Sequence, residues 1–212
     1  MGRWEEYRER QERIERQDTR FALDSKEPKQ SVASGFESKQ AALADFADCA
    51  VNQVPDRVSA FLGTTPHTPD EGAKLRAFGK LEACTRGRMF VSARTGEMRG
   101  ALAEVMLKRD AAKLNALATR SAAPAVRIAE RAAGTRPFVI AYGQCLASAA
   151  PSQAVALVNT AHGSDDEKRA IVAIGEPLKA CMPEGVAYQL NIRDVRNHVA
   201  DALFRMSLNP NA

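Results

Sequence analysis

The sequence predicts an all-α protein: a tandem duplication of a four-helix unit, with a helical connector between the copies and a charged helix in front. Three observations predict this. Residues recur in register about 96 positions apart, apolar side chains recur at helical spacing, and no sustained alternating, β-branched pattern competes. Composition agrees, because 45% hydrophobic residues with only 6% aromatic suit closely packed helices better than an aromatic-filled β core. The chain is too apolar for a disordered protein, and no run reaches the roughly 18 apolar residues of a membrane span.

Residues 1–38 form the charged N-terminal helix and linker. Glu6 with Arg10, Glu9 with Arg13 and Glu12 with Arg16 stand at i,i+4, which supports a solvated helix. Trp4, Tyr7, Ile14 and Phe21 make a thin apolar seam, interrupted by Gln11 and Asp18. A helix that frays or packs on its own body fits this seam better than a coiled-coil partner. Leu23–Ser38, rich in Ser, Lys and Asp, reads as linker.

The first copy occupies residues 39–109 and the second residues 137–212. Laying residue i over i+96 places Cys49 on Cys145, Pro55 on Pro151, Thr64 on Thr160 and Leu75 on Ile171. After a one-residue insertion, Leu81 meets Leu178, Cys84 meets Cys181, and the segment 97–104 falls on 194–201. Helix A runs about Lys39–Gln53 and Phe138–Ala149. Helix B opens at Pro55 and Pro151, where the missing N–H costs nothing in a first turn. Helix C opens with Thr68 and Glu71, or Ser164 and Glu167, each a capping box. Helix D runs about Gly96–Lys108 and Ile192–Met206. Its apolar positions are Met98, Leu102, Val105 and Met106, and then Val195, Val199, Ala202 and Leu203. Between the copies, residues 110–136 are a basic helical connector. Asp110 can cap a helix through Leu117, Pro124 can start another, and Gly134 can end it.

The most specific chemical feature is the four cysteines, Cys49, Cys84, Cys145 and Cys181, one in helix A and one at the end of helix C in each copy. Structural disulfides within each copy, Cys49–Cys84 and Cys145–Cys181, would each close a loop worth roughly 3.5–4 kcal/mol. Four buried thiols are the plainer alternative. A zinc site lacks the close C-x₂₋₄-C pairing such sites show, so no metal and no cofactor are expected. Disulfides would place the chain in an oxidising compartment, periplasmic or secreted, if the start shown is not the native one. The charged first residues carry no secretory h-region, and a cytoplasmic protein is the alternative.

Arg99 and Arg196 sit at the edge of the apolar arc of helix D. They either tie a neighbouring helix end or a carboxylate, or form an anion site once per copy. His67 and His162 precede helix C in the two copies, while His198 faces Ala101 across the repeat. Glu97 and Glu104 share a helix face that the pattern assigns to solvent. Residues 86–136 hold 11 basic and 4 acidic side chains, against a net charge of +4 for the whole chain. Arg86, Arg88, Arg94, Lys108 and Arg109 could attract an anionic surface or an acidic partner there. Phosphate loops, dinucleotide glycine fingerprints, His-Glu-x-x-His and nucleophile elbows are missing from the sequence.

These features point to a non-catalytic binding or scaffold protein of an oxidising compartment, of the bacterial-envelope type, with a protein partner or an anionic surface. One alternative is a nucleic-acid-binding protein acting through residues 86–136, although Phe90 is the lone aromatic there for base stacking. Another is a small-ligand carrier or enzyme with a pocket between the repeats.

Overall fold

The structure, a computed structural model, describes residues 21–22, 36–78, 81–85, 92–125, 138–182 and 192–208. In chain order its elements begin with β1 (Phe21–Ala22), α1 (Phe36–Gln53), α2 (Pro55–Leu62), α3 (Pro69–Phe78) and α4 (Glu82–Thr85). β2 (Ser92–Ala93), α5 (Thr95–Arg109) and α6 (Ala111–Ala118) follow. The second half holds α7 (Phe138–Ala149), α8 (Pro151–Asn159), α9 (Asp165–Ala173), α10 (Gly175–Cys181) and α11 (Ile192–Leu208). Among the described residues the protein is all-α apart from the two-residue antiparallel pairing of β1 with β2, Phe21 opposite Ala93 and Ala22 opposite Ser92.

The helix starts follow from the local chemistry read in the sequence. Pro55 and Pro151 stand in the first turns of α2 and α8. Asp110 caps α6 by accepting the Lys113 N–H at 3.0 Å. Ser164 caps α9 by accepting the Glu167 N–H at 3.1 Å.

Three expectations are corrected. α1 begins at Phe36, so the last residues assigned to the linker are helical. The second cysteine of each pair is not at the end of helix C. Cys84 lies in the separate α4 and Cys181 ends the separate α10. In the second half the break falls at Ile174, and Pro177 just beyond it has no N–H to continue the preceding ladder. In the connector, the helix read from Pro124 to Gly134 lies, beyond Ala125, outside the described residues, and residues 121–125 are not helical. That stretch docks instead, the Ala123 N–H donating to the Ser148 carbonyl at 2.9 Å. Phe21, read as the last residue of the N-terminal helix's apolar seam, lies instead in β1 opposite Ala93, while the rest of that predicted helix and the remainder of the connector lie outside the described residues.

The centre of the molecule is the crossing of α5 and α11. α1 packs on α5, and α7 on α11. Gly100 makes the crossing close: a Cβ there would lie 2.4 Å from the Asn197 Cβ and 2.5 Å from its Cα. These are the residues that the 97-residue offset pairs. Phe46, Phe61, Met98 and Leu102 from one half share a continuous core with Tyr142, Leu146, Val199 and Leu203 from the other. α6 lies against α8, so the connector helix is also part of this body.

Candidate functional site

Two buried arginines organise the centre. Each α2- or α8-type helix ends with carbonyls that have no partner within the helix. Arg99 reaches from α5 to the end of α2, donating to the carbonyls of Phe61 at 3.2 Å and Leu62 at 2.7 Å. It also donates to the Thr64 hydroxyl and to Glu71 Oε1, both at 3.0 Å. Arg196 does the same from α11 at the end of α8. It meets the carbonyls of Val158 at 3.1 Å and Thr160 at 2.8 Å, the Thr160 hydroxyl at 2.9 Å and Glu167 Oε1 at 2.7 Å.

The remaining guanidinium donors cross to the other half. Arg99 donates to Asp201 Oδ1 of α11 at 3.0 and 3.2 Å. Reciprocally, Arg196 takes both oxygens of Glu104 of α5, at 2.8 and 2.9 Å. An outer cation closes each cluster: Arg205 bonds Asp201 Oδ2 at 3.1 Å, and Lys108 bonds Glu104 Oε1 at 2.6 Å. Each cluster thus balances two cations with two carboxylates. Arg99, Glu71 and Asp201 are buried, as are Arg196, Glu167 and Glu104.

The electrostatics match this geometry. Burial would raise the Glu104 pKa, but hydrogen bonds from His162 and Arg196, and their charges, hold the carboxyl far below its ordinary value. Burial works against the charge on Arg196, while Glu104 and Glu167 raise its pKa. Glu71 and Glu167 have a second task as well. Their other oxygens accept the N–H of His67 and of Gly163, each at 2.7 Å. His67 and Gly163 are 96 residues apart, and both have positive φ, 62° and 74°.

Several sequence-level site readings change here. Glu104 faces the interior, not solvent, because Arg196 requires a carboxylate there. Glu97 does lie at the surface turn, accepting the Arg94 N–H at 2.7 Å. His162 is not the counterpart of His67, since Gly163 takes that place; its Nε2 lies 3.4 Å from Glu104. Arg99 and Arg196 adopt the scaffold arrangement rather than an open anion site, because their donors already meet the chain's own carboxylates and carbonyls. Lys108 is tied to Glu104. Arg109 is tied to the Val51 carbonyl at 3.0 Å and to Asn52. Arg94 is exposed, and Arg86 and Arg88 lie outside the described residues.

No motif in the sequence marks Thr64, Thr160, Asp201 or Arg205 as functional residues. Their signal is register alone: Thr64 recurs as Thr160, Glu104 as Asp201 and Lys108 as Arg205.

The cysteines come together as the spacing predicts. Cys49 and Cys84 stand at disulfide distance with Cα atoms 5.5 Å apart, and Cys145 and Cys181 likewise at 5.9 Å. Between the halves lies a cavity of about 20 Å³, lined by His67, Glu71, Arg99, Ile140, His198 and Asp201 among others. That is room for about one water. Among the described residues no group of three His, Cys, Asp or Glu side chains could hold a metal ion, and no helix is long and apolar enough to cross a membrane. Comparison with protein-family models, curated proteins and solved structures finds no match.

Proposed function

We propose that the chain is a non-catalytic binding or scaffold protein of an oxidising compartment of the bacterial-envelope type, formed by duplication of one helical unit. The observation that carries the compartment is the cysteine pairing, two disulfide-distance pairs at equivalent places in the two halves. Such pairs persist where thiols are not kept reduced.

Support for duplication is the repeated constellation. Thr64, Glu71, Arg99, Glu104 and Lys108 recur as Thr160, Glu167, Arg196, Asp201 and Arg205, at offsets of 96 and then 97. Support for a scaffold is the use of the central charged groups, which satisfy helix ends and one another. The nucleic-acid reading is weakened by the same observation, since Lys108, Arg109 and Lys113 all have partners within the chain. The carrier reading meets a cavity with room for about one water. The partner is then a protein or anionic surface met by the outside of the helical body.

The test is an intact-mass thiol count on protein alkylated after acid quenching in its native cells, combined with envelope fractionation. Two disulfides and recovery with the envelope fraction are expected. Four free thiols in a cytosolic fraction would overturn the proposal, and a salt-sensitive shift of nucleic acid by that reduced protein would establish the alternative.

A further inference from the structure

We propose that His198 is an acid-sensitive latch that holds α11 against α5 and α7. Gly143 lets the backbone of α7 come close to α11 at this residue, and Gly96 of α5 stands at ordinary contact distance from its ring. A Cβ at Gly96 of α5 would lie 3.5 Å from the His198 Cε1 atom, and a Cβ at Gly143 of α7 only 2.7 Å from its carbonyl oxygen. The ring packs edge-on against Tyr142 of α7, with centroids 5.4 Å apart at 78°. One edge opens onto the single-water cavity between the halves.

The charged groups around that cavity decide what a proton would meet. From α5 comes Arg99, from α3 Glu71, from the turn before α3 His67, and from α11 itself Asp201. α7 contributes the Tyr142 phenol, which burial and then the charge of Asp194 keep neutral far above its ordinary range. Both carboxylates are already engaged by Arg99, and Asp201 also by Arg205. An imidazolium at His198 therefore adds a positive charge to a cluster that is already balanced.

Desolvation of this part-buried ring, opposed by the charge of Asp201 and assisted by His67, pushes the His198 pKa down to about 4. The folded pKa lies below the ordinary value of about 6.5, so the closed state gains stability above that pH and loses it as pH falls towards 4. Between pH 7 and pH 5 the closed-to-open ratio falls about 20-fold. The first half has Ala101 at the equivalent position, so the device is present on one side alone. It is independent of what the protein binds.

The experiment is backbone hydrogen exchange on the full, disulfide-intact chain at pH 7 and pH 5, corrected for intrinsic exchange. It is read alongside an NMR titration of the His198 imidazole. The wild-type chain is expected to lose about 20-fold in protection across α11 and the facing turns of α5 and α7. His198→Gln, which is neutral and of similar size, and His198→Ala, which copies position 101, should abolish that pH-dependent loss whatever their protection at pH 7. The imidazole should titrate well below 6.5. Unchanged protection in wild type, the same acid loss in both variants, or a midpoint near 6.5 would each overturn the proposal.

Discussion

A guanidinium is stable in an interior only when its charge and its donors are all met, and Arg196 shows how this chain meets them. Two carboxylates supply the charge balance, and two carbonyls at the end of α8 take further donors. Removing the side chain leaves Glu104 and Glu167 buried beside each other without it. Arg196→Ala should therefore cost about 3–5 kcal/mol in urea unfolding at pH 7. Arg196→Lys should also destabilise, because one ammonium cannot span the bidentate Glu104 contact and the helix end together. A loss under about 0.5 kcal/mol for Arg196→Ala, typical of surface sites, would contradict the buried network.

Acid acts on the same cluster. The folded pKa of Glu104 lies below its ordinary 4.5, so its contribution is complete above that value and fades as pH falls below it. Glu104→Gln should flatten the stability profile below pH 4.5 while leaving the His198 window at higher pH intact. Urea midpoints measured from pH 7 to pH 3 separate the two.

At the scale of elements, the crossing of α5 and α11 depends on backbone proximity at Gly100. Alanine is the better helix former by about 1 kcal/mol, yet Gly100→Ala should destabilise, since overpacking against Asn197 costs about 1–3 kcal/mol. Gly175 in α10 is the control, because a Cβ there meets nothing within 4 Å. Gly175→Ala should be neutral or stabilising by up to about 1 kcal/mol. Thermal unfolding of the two variants checks the contrast, and a stabilised Gly100→Ala would contradict the close crossing.

The elements were largely legible because their starts are locally encoded. Pro55, Pro151, Ser164 and Asp110 act within one turn of themselves, and α7 has the bounds read from its pattern. What was not legible is what depends on distant partners. Glu104 looks like a solvent-facing residue until Arg196, 92 residues away, reaches it. The pairing of Phe21 with Ala93 joins residues no local pattern connects. The separation of α10 from α9 rests on a backbone turn at Ile174, which an apolar periodicity runs straight through.

At the scale of the whole molecule, the two halves are joined by reciprocal contacts, and each holds its own pair of cysteines at disulfide distance. Arg99 of the first half binds Asp201 of the second, while Arg196 of the second binds Glu104 of the first. Linked, each pair would close a loop of 35 or 36 residues inside its own half, worth about 3.8 kcal/mol by the chain-entropy estimate. The pairing is therefore the feature on which both the separate stapling and the compartment rest. It is read most directly by digesting the unreduced protein and identifying the linked peptides by mass. The account predicts Cys49 linked to Cys84 and Cys145 linked to Cys181, with no peptide joining the halves. A link such as Cys49 to Cys145, or four cysteines recovered free from protein that was never reduced, would contradict it.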